Sequence, residues 1–160
     1  MHRLSVQAIM RPAAVTIGPD ELVIEAAARM EEHNIRRLPV VDEDERLIGI
    51  VTDSDVLEVE SAGSALNAYE PDAGEEWLAV ADIMTREVVT IPAGATVGEL
   101  AQLLLDNKFG GVPVVERDPA TGENRLVGMV TEMDIFRYIA AAHAQELSAL
   151  IGMPATSAAR

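Results

Sequence analysis

Apolar positions fall into short blocks whose spacing switches between helical and extended. Leu22, Val23, Ala26, Ala27 and Met30 recur at i, i+1, i+4, i+5 and i+8, one stripe of an amphipathic helix. Glu21, Glu25, Arg29 and Glu32 cover the other side, with Glu25 and Arg29 at i,i+4 spacing. Val97, Leu100, Ala101 and Leu104 repeat the stripe, behind a capping-box pair, Thr96 and Glu99. Other apolar runs are too short for helices and read as strands: Val15–Ile17, Leu38–Val41, Leu47–Val51, Val88–Ile91, Val112–Val115 and Leu126–Val130. Polar connectors join Val41 to Leu47 and Val115 to Leu126, which predicts two hairpins. Short helical turns are predicted at Val6–Met10 and Val80–Met84, and further helices from Asp53 and Glu132.

These blocks occur twice in the same order. Val6–Met10 recurs as Val80–Met84, Val15–Thr16–Ile17 as Val89–Thr90–Ile91, and Leu38–Pro39–Val40–Val41 as Val112–Pro113–Val114–Val115, all at an offset of 74 residues. Gly49–Ile50–Val51–Thr52 through Asp55 recurs as Gly128–Met129–Val130–Thr131 through Asp134, at an offset of 79. The second copy therefore gained five residues in Glu116–Arg125, where Asp118–Pro119 and Thr121–Gly122 signal a longer turn. Each copy reads β-α-β-β-α. So small a unit buries too little surface to be stable alone, so two should clasp as a pseudo-twofold pair of α/β (α+β) class. The copies are expected at 5–60 and 80–142. Residues 61–79 read as an acidic linker, partly helical and exposed, and 143–160 as a helix end and tail. Trp77 is expected to pack on the second copy.

Composition narrows the function. The chain has 160 residues, 27 acids against 12 bases and a formal charge of −15. That excludes the basic footprint of nucleic-acid binding and argues against docking on an anionic membrane. Aromatics at 3% leave little for base stacking. Cysteine is absent, so there is no thiol nucleophile, disulfide or Cys-ligated zinc. His2, His33 and His143 share no metal-ligand spacing, and the acidic run Asp42–Glu45 reads as a solvated loop. The longest charge-free run, Leu147–Ala159, is 13 residues and holds Pro154, short of the about 20 a bilayer needs. With no signal-peptide pattern at the start, a cytoplasmic location is expected. No Ser–His–Asp set or Gly–Lys–Ser phosphate loop is visible, so the chain is not expected to be an enzyme.

The candidate chemistry lies in Gly–h–Val–Thr–x–x–Asp, present in both copies where a strand runs into a helix. Thr52 with Asp55, and Thr131 with Asp134, admit two readings. One is a capping box, with Thr at the N-cap and Asp favoured by the helix dipole. The other is a nucleotide site, where amides attract phosphate and Asp accepts from ribose hydroxyls.

Taken together, these motifs resemble the cystathionine-β-synthase (CBS) domain family in its tandem form. The residues that carry the resemblance are Ile9–Met10, Val15–Thr16–Ile17, Arg37–Leu38–Pro39–Val40–Val41–Asp42, and Leu47 through Asp55. In the second copy they are Asp82–Ile83–Met84–Thr85, Val89–Thr90–Ile91, Gly111–Val112–Pro113–Val114–Val115, and Leu126 through Asp134. The resemblance implies a regulatory module with two related clefts that take AMP, ADP, ATP or S-adenosylmethionine, energy sensing among its roles. Carried over residue by residue, one cleft would use Thr16, Ile17, Arg36, Arg37 and Leu38 with Thr131 and Asp134. The other would use Thr90, Ile91, Gly110, Gly111 and Val112 with Thr52 and Asp55. No cofactor is required beyond that regulatory ligand. Arg36–Arg37 becomes Gly110–Gly111 in the second copy, so the first cleft is expected to prefer a phosphorylated ligand. The apolar residues Ile135, Phe136, Tyr138, Ile139 and Ala142 crowd more than one side of the last helix, which suggests a homodimer through the long helices. The regulated effector is expected to be a separate protein. The competing reading is a CBS-fold interaction module that binds a protein and no nucleotide.

Overall fold

The two hairpins form where polar turns separate β-branched runs. In the computed structural model, which describes residues 3–12, 14–67 and 77–152, β2 (Arg37–Val41) pairs antiparallel with β3 (Leu47–Thr52), and β5 (Gly111–Arg117) with β6 (Asn124–Thr131). Registers match: Leu38 faces Val51 as Val112 faces Val130, and each hairpin shifts register at the same place, between Val40 and Val41 or Val114 and Val115. The Asp42 carboxylate closes the first turn by accepting the N–H groups of Asp44 and Arg46. The remaining elements are a 3₁₀ turn (Val6–Ala8), β1 (Arg11–Pro12), α1 (Val23–His33), α2 (Asp53–Asn67), α3 (Val80–Ile83), β4 (Ile91–Pro92), α4 (Val97–Asn107) and α5 (Glu132–Ile151). The helical stripes are buried as their spacing predicts: Val23, Ala26 and Met30 on α1, and Val97, Leu100 and Leu104 on α4. Thr96 and Glu99 form the predicted capping box.

The repeats are joined by a reciprocal exchange that their order along the chain does not announce. Buried side chains fall into two clusters, one per hairpin. Val80 and Met84, from the start of the second copy, complete the first cluster with Ile17, Leu38, Val40 and Val51. Val6, with Ile9 and Met10 beside it, completes the second with Ile91, Leu100, Val112, Val114 and Val130. Backbone bonds repeat the exchange position for position. The Val6 N–H donates to the Ala95 carbonyl and Val97 N–H to Leu4; Val80 N–H donates to Glu21 and Val23 N–H to Leu78. The N-terminal end of α1 and that of α4 are thus each bonded by a carbonyl from the neighbouring exchanged segment.

Sheet order follows. One sheet runs β1-β6-β5-β4, with β1 antiparallel to β6 and β4 parallel to β5. Around β2 and β3 the outer positions shrink to single bridges, Ile17 with Val40 and Thr85 with Ile50. The exchanged segments approach closely: a Cβ on Gly128 would stand 2.6 Å from the Arg11 carbonyl oxygen, and one on Gly49 2.5 Å from Met84 Sδ. At the hairpin tips Arg46 Nε meets Glu123 Oε2 at 2.7 Å, so the five-residue gain in the second copy reaches the first.

Three expectations change. The predicted strand Val15–Ile17 contributes one bridge at Ile17, because the Thr16 carbonyl accepts from Arg29 Nη1 at 2.8 Å and Pro19 soon interrupts the chain. The run Val88–Ile91 yields β4 at its last residue and Pro92. Trp77 is 78% exposed; its neighbour Leu78 packs instead, against the first core. Helix α2 extends to Asn67, into the predicted linker, and positions 68–76 of that linker lie outside the described residues. No helix among the described residues is long and apolar enough to cross a membrane.

Val6 and Val80 are each fully buried. Truncation of either to alanine is expected to cost about 2 kcal/mol in urea unfolding. Hydrogen exchange locates the damage: Val6→Ala should loosen β5 and β6, and Val80→Ala β2 and β3. Loosening of each residue's own repeat would contradict the exchange.

Candidate functional site

Helix α1 ends where Asn34 takes a left-handed conformation, φ 51°, and the Ile35 N–H bonds back to Met30. That reversal aims Arg36 and Arg37 into the groove between the repeats. The Asp53 N–H donates to the Arg36 carbonyl at 3.0 Å, which ties this corner to the start of α2. In the second repeat Lys108 takes the left-handed position, φ 55°, and the Glu132 N–H donates to Gly110 at 2.9 Å.

Between these corners lies a cleft of about 650 Å³, ample for a small-molecule ligand. Its walls bring Arg36 and Arg37 from the first repeat to Gly110, Thr131 and Asp134 of the second. Arg37 reaches across the boundary: a Cβ on Gly110 would stand 2.7 Å from its Nη2, so the absent side chain is what admits the guanidinium. Arg11 and Arg137 also line the cleft, as do His33 and Glu132.

Asp134 organises the second-repeat wall. It is 5% exposed, and its Oδ2 accepts the Thr131 N–H at 2.9 Å and the Thr131 hydroxyl at 3.0 Å. Its Oδ1 accepts from Arg137 Nη1 at 3.1 Å and faces Arg11 Nε at 3.6 Å. The Thr–x–x–Asp turn therefore is a capping box, and its second oxygen also aligns two arginines toward the cleft. Thr52 and Asp55 form the same box, with Asp55 Oδ2 accepting from the Thr52 N–H and hydroxyl at 2.8 and 2.9 Å.

The wall that begins at Ala14 and Val15 is pinned from behind. Glu21 holds Arg29 at 2.7 Å and accepts the Gly18 N–H at 2.6 Å. The Arg29 hydrogen bond, then the Gly18 amide, hold the Glu21 carboxyl below its ordinary range.

Of the residues expected in the first cleft, Arg36, Arg37, Thr131 and Asp134 come together. Ile17 and Leu38 do not present side chains there: they are 1% and 0% exposed, packed into the first core with Val40 and Val51. Thr16 lies off the cleft, bonded to Arg29. Of the second expected set, Gly110 lines the first cleft instead. Ile91 and Val112 are buried in the second core, and Gly111 pairs with Thr131, while Thr90 is half-buried and Thr52 and Asp55 stay together at the start of α2. Sequence reasoning missed Arg11 and Arg137 and gave His33 no ligand role; only the exchange carries Arg11 to the second repeat. Among the described residues no cluster of His, Asp and Glu could hold a metal ion.

The duplicated hairpins, the exchanged turns and a cleft between repeats define a tandem-repeat α/β architecture. A CBS domain family model matches residues 6–62 and 80–141, and the chain belongs to that family. It is 30% identical over 131 residues to hypoxic response protein 1 of Mycobacterium tuberculosis, covering 82% of each. The crystal structure of the CBS domain pair of protein MJ0100, in complex with 5-methylthioadenosine and S-adenosyl-L-methionine, superposes with a TM-score of 0.70 at 29% identity, covering 86% of this chain and 97% of that one. CBSX2 in complex with AMP superposes with a TM-score of 0.71 at 26% identity, covering 88% and 98%. The chain spans 44% and 21% of the lengths of two further curated relatives, both from Methanocaldococcus jannaschii.

A depressed carboxyl stabilises the fold above the unfolded carboxylate pKa, and that contribution disappears as pH falls through the lower folded value. Glu21→Gln is therefore expected to unfold at a lower temperature than the parent at pH 7, with the gap closing as pH falls below the ordinary glutamate range. Calorimetry across that range checks it; a gap independent of pH would exclude the ion pair as its source.

Proposed function

We propose that this chain is a regulatory module that binds an adenosine-containing ligand, AMP, ADP, ATP or S-adenosylmethionine, between its repeats and controls a separate partner protein. One observation carries the reading: Arg36 and Arg37 of one repeat stand across a cleft from Thr131 and Asp134 of the other. Two guanidiniums suit a phosphate, and the helix end at Thr131 adds amide donors and a positive dipole. The neighbours solved with AMP and with S-adenosyl-L-methionine support the ligand class. A ligand held by both repeats favours whichever arrangement of them it fits, and a partner that reads that arrangement would be controlled by it.

Homodimerisation through the long helices belongs to the same reading. Met133, Phe136 and Ile139 on α5 are 50%, 56% and 44% exposed, and Leu147, Leu150 and Ile151 continue the apolar surface. Light scattering is expected to give a dimer, and a monomer after Phe136→Glu with Ile139→Glu.

Titration calorimetry tests the cleft. Arg36→Ala with Arg37→Ala is expected to weaken AMP by about 10- to 100-fold, the loss of charged hydrogen bonds of about 1.5–3 kcal/mol. Unchanged affinity would remove these arginines from the site. A protein that binds no adenosine compound and shows no thermal stabilisation by any of them would instead be an interaction module.

A further inference from the structure

The pseudo-twofold relation allows the two sides of the molecule to be compared position by position, and their charges differ. The cleft described above gathers Arg11, Arg36, Arg37 and Arg137, four of the chain's 12 cations, against two carboxylates, Glu132 and Asp134. At the equivalent positions of the other side, Arg11 becomes Thr85, which pairs with Ile50 as Arg11 pairs with Met129. Arg36 and Arg37 become Gly110 and Gly111, and Arg137 becomes Glu58. Glu132 and Asp134 become Asp53 and Asp55. That side has Arg86 and Lys108, at the positions of Pro12 and Asn34, against three carboxylates. In a chain of formal charge −15, the cleft carries an excess of positive charge and the equivalent positions of the other side do not.

Resting on the adenosine reading of this cleft, we propose that it takes a nucleotide with two or more linked phosphates, and that Arg11 and Arg137 are the residues that read the phosphates beyond the first. Arg36 and Arg37 suffice for a monophosphate. Arg11 and Arg137 add two more guanidiniums, sharing one oxygen of Asp134 at 3.6 and 3.1 Å. Each guanidinium has five N–H donors, so one shared oxygen leaves most of them free to meet further phosphates. Both arginines are more than half exposed on their side chains, although Asp134 is buried, so a ligand can reach them without breaking the capping box. The equivalent pair Thr85 and Glu58 offers a polyphosphate no cation and one like charge. Since Arg11 sits on β1 and Arg37 on β2, such a ligand also ties the exchanged N-terminal segment to the first repeat.

Calorimetry on the full chain with adenosine, AMP, ADP and ATP tests this, with inorganic tripolyphosphate and phosphate as competitors. Affinity is expected to rise with each phosphate, by about tenfold or more from AMP to ATP. Arg137→Ala, and Arg11→Ala with Arg137→Ala, should reduce that gain to less than about threefold while leaving AMP binding near its original value. Arg137→Glu should make ATP bind more weakly than AMP, and tripolyphosphate should displace ATP from the parent better than phosphate does. ATP binding no tighter than AMP, or variants that weaken both alike, would overturn the proposal and leave the adenosine site standing. Binding of tripolyphosphate with none of adenosine or AMP would overturn the adenosine reading while the arginines kept their polyphosphate role. Thermal unfolding of each unliganded variant confirms that β1 still docks.

Discussion

Two valines, one at the head of each repeat, lie inside the hydrophobic cluster of the other repeat, and the rest of the structure depends on that exchange. Val6 fills the core around Leu100 and Val112, and Val80 fills the core around Leu38 and Val51. Burying a valine fully is worth about 1.5–3 kcal/mol, a large share of the stability of a half-size unit. Neither repeat can complete its core from its own contiguous residues. Backbone donors that start α1 and α4 find their partners in the exchanged segments as well, so the apolar and polar parts of the union form together. Glycine at 49 and 128 is what lets the segments come so near.

This union also creates the cleft. Because β1 crosses to pair with β6, Arg11 stands beside Asp134, and because α1 ends in a left-handed residue, Arg37 reaches over Gly110. A groove between separately closed domains would contain neither contact. The Thr–x–x–Asp turn serves two ends at once. One oxygen of Asp134 caps its helix and the other faces Arg137 and Arg11, so the cap leaves an oxygen turned toward the cleft. The local structure holds the carboxylate in place before any ligand arrives, which lowers the cost of organising a charged site.

Duplication usually produces two equivalent sites, but here the copies have diverged where ligand charge would be read. Their cores remain nearly superimposable in pattern, since packing tolerates little change in volume, whereas cleft positions differ in charge and even in sign, as at Arg137 and Glu58. The exposed apolar residues of α5 lie on the helix whose first turn carries Asp134, so the candidate ligand site and the candidate contact surface share one rigid element.

Much of this was legible in the residues. Helical stripes, hairpins, the Thr96–Glu99 cap and the twofold repeat follow from spacing, because periodicity records which side of an element meets a core. Arg36, Arg37, Thr131 and Asp134 could be named because the resemblance supplied a pairing across repeats, and the cleft does bring them together. Ile17 and Leu38 could not be placed so easily: adjacency along a strand does not say which neighbour points to the core. Arg11, Arg137 and the exposure of Trp77 had no signal in local pattern. Local spacing and propensity act over a few residues, and they were enough to specify what each segment is. Which repeat each leading turn completes, and with it which charges share a cleft, emerges only on folding, because those contacts join residues far apart along the chain, Val6 with Ala95 and Val80 with Glu21.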